Sequence, residues 1–259
     1  MVSESIDFNL RIYSRPKVAS HYGALSQLTD CERYLFGIYL KRRMRILDLG
    51  VGGGRTTPYL SSLSKNYVGV DYSEEMIRVC RSKFPDKQFI MLDASDLSRF
   101  EDSSFDAIVF SFNGLDILHP DAKRLQCLRE CHRTLSRNGI LIFSSHNAKS
   151  LLFRPVFFTY LLLSYEAFAT AKLLRYFWIL RNTIRLMKQP SAVSAFCRGD
   201  GYMMDPASEG ALTHVCTPEH VTRELHNAGF ELLEVVGNDF PKPELPLVTS
   251  WYYYVSVKR

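Results

Sequence analysis

Residues 45–60 read RILDLGVGGGRTTPYL: a short apolar run, an aspartate, four glycines within five positions, then a proline. The apolar run is a strand, and Pro58 suits the first turn of a helix, so the glycines form the turn between them. Glycine lets the backbone bend sharply and lets a ligand approach with no Cβ in the way. The helix is expected to take Thr57 as its cap and Pro58 as its first residue, so that its amide end faces the ligand. A phosphate suits such a place. The dinucleotide fingerprint, however, requires glycine at its first, third and sixth positions. Counted from Gly50, the sixth is Arg55, and the chain contains no GK[ST] triplet of a triphosphate loop.

Asp48, two residues before Gly50, points elsewhere. A carboxylate at that place repels a phosphate and favours a cation, directly or through water. Two more acids end the next strands: Asp71 in VGVDYS and Asp93 in MLDASD. Acids at the carboxyl ends of parallel strands line the ligand crevice of an open α/β sheet. Asp71 is placed to accept from ribose hydroxyls, and Asp93, with Asp96 close by, from an adenine amino group. The ligand read from these residues is an adenosine with a positive, phosphate-free tail.

The pattern around them is α/β. After polar and helical residues 1–44 come strands MRILDLG, NYVGVD, QFIMLDA, FDAIVFSF and ILIFSSH, separated by helical stretches. SRNG is expected to close the helix before the fifth strand, with Gly139 ending it. Alternation of this kind implies a doubly wound parallel sheet with right-handed crossovers. Thr217 and Pro218 then open a helix, followed by FELLEVVG and TSWYYYVSVKR with no helix between them. These last two strands are therefore expected to pair antiparallel, giving seven strands in all. The core is expected in 1–146 and 217–259. Residues 147–216 are too long for a connection and are read as a helical insertion, with helices near 150–164 and 166–188 and an irregular remainder.

In its motifs the chain resembles the class I S-adenosylmethionine-dependent methyltransferases, in the small-molecule group that includes the ubiquinone and menaquinone enzymes. LDLGVGGGR is similar to the family's D-x-G-x-G-x-G loop at Asp48, Gly50, Gly52 and Gly54; VGVDYSEEM to its ribose-binding acid at Asp71, followed by Tyr72, with an adenine-packing methionine at Met76. LDASDL is similar to its adenine-edge motif at Asp93 and Ala94, and FDAIVFSFNGLDIL to the strand that ends over the cofactor at Phe112 and Asn113. Arg137-Asn138-Gly139 stands where the family usually writes proline-glycine-glycine. The resemblance covers about 40–146 and 217–259. It implies a Rossmann-like methyltransferase fold, S-adenosyl-L-methionine as cofactor, no metal, and transfer of a methyl group to O or N of a small organic acceptor such as a natural product, sugar or quinone precursor.

A hydroxyl acceptor benefits from a general base. His146, ending the fifth strand on the ligand side, is the first candidate, and His214, after the irregular segment, the second; His119, before Pro120, reads as a turn residue. Asp116 is expected to fix the loop above the cofactor, and by family analogy Tyr13 and Tyr22 close over it. Around Lys172–Lys188, Leu173, Tyr176, Phe177, Leu180, Ile184 and Met187 share a helix face, read as a substrate lid, a sheet-edge cover or a homodimer contact.

Composition narrows the classes. The 259 residues are 46% hydrophobic and 23% charged, with a net charge of +5. Acids and bases interleave without the dense basic stripe of a nucleic-acid binder. The six cysteines lack a CxxC pair, so reduced thiols in a cytoplasmic protein are expected. The first fifteen residues lack the apolar core of a secretory signal. The uncharged run from Pro155 to Tyr165 is eleven residues, against about 20 for a bilayer span. FNGL after the fourth strand differs from the Asn/Asp-Pro-Pro-Tyr/Phe run of many nucleic-acid nitrogen methyltransferases. An RNA or protein methyltransferase and a non-catalytic cofactor-binding subunit remain as alternatives.

Overall fold

The computed structural model describes residues 3–150, 181, 184–206, 208, 210–242, 246–247 and 249–259. Three helices lead: α1 (Ser3–Tyr13), α2 (Pro16–Ala24) and α3 (Asp30–Tyr39). The core then alternates β1 (Ile46–Leu49), α4 (Thr57–Leu63), β2 (Tyr67–Asp71), α5 (Glu74–Lys83), β3 (Gln88–Met91), β4 (Phe105–Phe110), a 3₁₀ helix (Gly114–Ile117), α6 (Asp121–Thr134) and β5 (Leu135–His146). After it come α7 (Pro190–Arg198), β6 (Asp200–Asp205), β7 (Ala211–Cys216), α8 (Pro218–Asn227), β8 (Phe230–Gly237) and β9 (Trp251–Lys258).

Seven strands form one sheet in the order β3-β2-β1-β4-β5-β9-β8. β9 alone runs antiparallel, pairing with both β5 and β8. The expected seven-stranded α/β architecture is therefore the observed one. Strand order reverses between β1 and β4, and a crevice opens there at the carboxyl ends of the strands.

Side chains alternate across the sheet. Leu47, Leu49, Ile108, Phe110 and Phe143 pack on one face under Cys127, Leu128, Val221 and Leu225 of α6 and α8. Ile46, Ala107, Val109, Ile142 and Tyr253 pack on the other under Leu35, Phe36, Leu60 and Ile77 of α3, α4 and α5. Burial on both sides explains why the central strands are apolar at nearly every position. All six cysteines are free thiols, and only Cys197 is exposed.

Three details differ from the sequence reading. Thr57 is the first residue of α4 and not its cap; Thr56 precedes the helix, and both hydroxyls bond to side chains of the sheet. Gly139 does not end α6: the helix stops at Thr134, and Leu135 already pairs with Phe105 as strand, because its extended backbone serves the sheet. The irregular part of 147–216 contains α7 and the antiparallel β6–β7 hairpin. Helices expected near 150–164 and 166–188 fall mainly outside the described residues. Of the apolar face assigned there, Ile184 and Met187 are described and both are exposed. Leu186 is buried instead, in a small cluster with Ala192, Ala195, Phe196, Met203 and Val215. Among the described residues no helix is long and apolar enough to cross a membrane.

Gly53 shows why the leading helices belong to the fold. A Cβ there would stand 2.3 Å from Gly23 N and 2.4 Å from Tyr22 C, so the end of α2 rests directly on the glycine turn. Lys83 Nζ staples the two by donating to the carbonyls of Gly23 and Gly53 at 2.8 and 2.7 Å. Gly53→Ala is expected to lift α2 off the turn. Urea denaturation should show a loss of about 2 kcal/mol, with faster proteolysis in residues 15–25; an unchanged midpoint and cleavage rate would refute the contact.

Candidate active site

The crevice encloses about 1160 Å³ of non-protein space, open solvent included. Its floor is the glycine turn. Gly50 has a left-handed backbone (φ 58°), and a Cβ there would meet Phe110 at 2.6 Å. Asp48, buried beneath, accepts from Thr56 Oγ1 at 2.6 Å and from Tyr67 Oη at 2.8 Å. Since Tyr67 donates to Asp48, its oxygen accepts from Thr57 at 2.8 Å. Asp71, ending β2, accepts from the backbone of Gly52 and Ser73, both at 2.9 Å. Burial pushes both carboxyls up to about 6, outweighing hydrogen bonds that act the other way. Each oxygen of Asp71 receives one hydrogen bond and keeps room for another.

The cations lining the crevice are already paired. Arg55 donates to both oxygens of buried Glu32 at 2.5 and 2.6 Å. Its guanidinium lies under the Phe112 ring, 3.9 Å from the centroid. Lys123 Nζ donates to Asp93 at 2.6 Å. A phosphate would find no free positive side chain among these, whereas a cation would find Asp48 and Asp71.

Of the residues expected from the sequence, Asp48, Gly50, Gly52, Asp71, Tyr72, Met76, Asp93, Ala94 and Phe112 line the crevice. The buried Tyr72 hydroxyl has no hydrogen-bond partner among the described residues, so a bound group would satisfy it. Asp93 is less open than its position in the sequence implies. Besides Lys123 it accepts from Ser95 N and Oγ; burial raises its pKa, but these bonds more than offset that and hold the carboxyl below the usual range. Asp96 is exposed and turned to Ser98, away from the site.

Gly54, Asn113, His146 and His214 are not brought to the crevice wall. A Cβ on Gly54 would meet Phe84 at 2.7 Å, so that glycine serves packing behind the turn. His146 is held by Asp116 and Asn113 at 2.8 and 3.2 Å. His214 is buried on β7 and bonded to Asp200 at 2.7 Å. His119, read as a turn residue, is the histidine that lines the crevice, and burial lowers its pKa despite Asp121. Tyr13 and Tyr22 also line it, their rings 6.0 Å apart and edge to face.

Asn9 escaped the sequence reading. It reaches from α1 to the backbone of Ile117 and Leu212, tying the leading helix to the 3₁₀ helix and to the β6–β7 hairpin. No local pattern marks an asparagine whose partners lie more than a hundred residues away.

Residues 47–143 match the model of the family described as a methyltransferase domain. Over that segment the chain is similar to S-adenosylmethionine-dependent methyltransferases of class I, and its fold is theirs. The demethylmenaquinone methyltransferase of Thermotoga maritima is 30% identical over 147 residues, 51% of this chain and 59% of that protein. The matched segment spans about half the length of most curated relatives. Among solved structures, the CcbJ methyltransferase of Streptomyces caelestis aligns with a TM-score of 0.60 at 17% identity, covering 96% of this chain and 98% of that one. The Burkholderia thailandensis 1,6-didemethyltoxoflavin-N1-methyltransferase, solved with that acceptor and S-adenosylhomocysteine, gives 0.53 at 16% identity, covering 99% and 84%.

The electrostatics of the crevice floor can be tested directly. Burial raises the folded pKa of Asp48 from 3.8 to about 6, so folding disfavours its charged form, although that form still predominates at neutral pH. Its contribution to stability is present at low pH and is lost as pH rises from about 4 to about 6, leaving a cost on the order of 3 kcal/mol at neutral pH. Asp48→Asn keeps an oxygen for the Thr56 and Tyr67 hydroxyls and cannot ionise. At pH 7 the unliganded variant should be about 1–3 kcal/mol more stable than wild type, the gap closing below pH 4. A variant that is less stable at pH 7 would contradict the buried charge.

Proposed function

We propose that this chain transfers a methyl group from S-adenosylmethionine to oxygen or nitrogen of a small, planar organic acceptor. The observation that carries the reading is the pairing of charges: Asp48 and Asp71 face the crevice while its lysine and arginine are neutralised by Asp93 and Glu32. A cationic, phosphate-free adenosine fits that balance. When bound, the sulfonium supplies an electrophilic methyl group. Asp71 would accept from the ribose hydroxyls, Met76, Leu92 and Ala94 would pack the base, and Asp48 beneath the turn would favour the positive charge.

The acceptor side is aromatic. Phe112 is 42% exposed although large and apolar, and its backbone is left-handed (φ 55°). Such a conformation costs about 1–3 kcal/mol in a non-glycine residue and concentrates at functional sites. Arg55 covers one face of the ring, and a planar acceptor would stack on the other. Tyr13, Tyr22 and Leu25 continue the wall. The quinone-directed relative and the planar acceptor of the toxoflavin enzyme support this class. For a hydroxyl acceptor the proton would pass to neutral His119; alignment and exclusion of water by the leading helices supply the rest.

Two measurements test this. Asp71→Ala should weaken S-adenosylmethionine binding by calorimetry about 10- to 100-fold, the weight of lost charge-assisted hydrogen bonds; unchanged affinity removes the ribose assignment. Wild type should carry tritiated methyl to 1,4-naphthoquinol, and Phe112→Ala should raise KM about tenfold with cofactor affinity unaltered. Indifference to that substitution would take Phe112 out of the acceptor site.

A further inference from the structure

Asn113 and His146 stand next to one another behind the crevice wall, and their hydrogen bonds define a two-state element. His146 Nδ1 lies 2.8 Å from Asp116 Oδ2, and the His146 backbone N–H donates to the same oxygen at 2.7 Å. The other oxygen of Asp116 accepts from Arg124 at 3.0 Å and from Ser145 Oγ at 2.7 Å. Burial presses the Asp116 pKa upward, but His146 and Arg124 more than offset it, and the group is held below the usual carboxylate range. A carboxylate only accepts, so Nδ1 carries a proton whatever the charge of the ring.

The state of Nε2 is then the only variable. Asn113 Nδ2 lies 3.2 Å from it. An amide NH₂ donates, so this contact requires a bare Nε2 and a neutral ring. In the same arrangement Asn113 Oδ1 is buried with no hydrogen-bond partner among the described residues. A proton on Nε2 would oppose the NH₂ donor to donor. Half a turn of the amide relieves that: Oδ1 then accepts from Nε2, and the NH₂ becomes the unpartnered end. The backbone cannot respond instead, because Asn113 is pinned in a left-handed conformation (φ 59°) with its N–H donating to Ser144 Oγ at 2.8 Å. Its neighbours Phe112 and Gly114 both line the crevice.

We propose that His146 is a positioning residue: by holding or releasing one proton at Nε2 it decides which end of the Asn113 amide is left unpartnered behind Phe112 and Gly114, and so biases the crevice wall that a ligand at the end of β4 meets. The ligand part rests on the cofactor reading above. Groups from every packed element bear on the ring: Asp116 from the 3₁₀ helix, Arg124 from α6, Asp205 from β6, the Trp251 ring of β9 at 6.4 Å, and Cys216 of β7 behind Ser145. Burial pushes the His146 pKa down, while the bond and charge of Asp116, then Asp205, hold it above the ordinary value. The imidazolium is the favoured state on the acid side of neutrality, and the donor face of Asn113 goes with it.

The test uses the whole chain labelled with ¹⁵N. Between pH 5.5 and 8.5, the Nε2 resonance of His146, assigned by its loss in His146→Gln, should titrate while Nδ1 stays protonated, and the Asn113 side-chain amide should shift with the same midpoint. Calorimetry with S-adenosylhomocysteine follows. The ratio of wild-type to Asn113→Ala affinity should change at least about threefold across that midpoint, and taking the ratio cancels the titration of Asp48 and Asp71. An Nε2 that does not titrate, an Asn113 amide silent while the ring titrates, or a flat ratio overturns the proposal. If S-adenosylhomocysteine fails to bind at any pH, the cofactor reading falls and the ligand part of the proposal with it, while the resonances still decide whether the amide turns.

Discussion

The buried pair between Arg55 and Glu32 is the contact on which the crevice depends. It joins the glycine turn to the start of α3, where Glu32 also accepts from the backbone of Thr29 in a capping box. Tyr253 of β9 donates to the same carboxylate at 3.0 Å, and Phe112 sits over the guanidinium. Four segments far apart in the chain thus meet at one ion pair. Burying two charges carries a desolvation cost, and removing one partner of such a pair typically costs about 3–5 kcal/mol because the other is stranded. Arg55 also occupies the sixth position of the glycine motif. The departure that turned the sequence away from dinucleotides is the same side chain that anchors the turn to the helical layer above it.

Around that anchor the molecule keeps two carboxylates in an unfavourable state. Asp48 and Asp71 are almost wholly buried, and hydrogen bonds from Thr56, Tyr67, Gly52 and Ser73 only partly compensate their lost hydration. Such an arrangement stabilises no fold by itself. A positive ligand with hydroxyls beside it relieves the cost, and stability given up in the unliganded state reappears as differential affinity. The left-handed backbone of Phe112 and Asn113 has the same character: strain kept beside the crevice, where Phe112 lines the wall.

Much of this was legible in the residues alone. The period of apolar residues and the run of glycines marked the parallel strands and the turn, because both depend on local rules: burial on two faces and backbone freedom without a Cβ. Asp48 and Asp71 were legible because a strand's last residues project into the crevice whatever the rest of the chain does. Thr57 and Gly139 misled because each satisfies a helix-end rule while the sheet makes a stronger demand on the neighbouring residue. His146 and His214 lie off the crevice wall for a related reason: a histidine on a strand can turn to a nearby carboxylate, and only the positions of Asp116 and Asp200 decide that.

The sequence by itself determined the architecture and the chemical sign of the ligand, since alternation, glycine spacing and strand-end acids are properties of short segments. The tertiary structure decided which charges remain free. Lys123 silences Asp93 from thirty residues away, Glu32 silences Arg55, and Asn9 clasps residues more than a hundred and more than two hundred positions distant. It also decided that His119 stands at the wall while His146 stands behind it. Such outcomes depend on distances between elements, and no spacing along the chain encodes them.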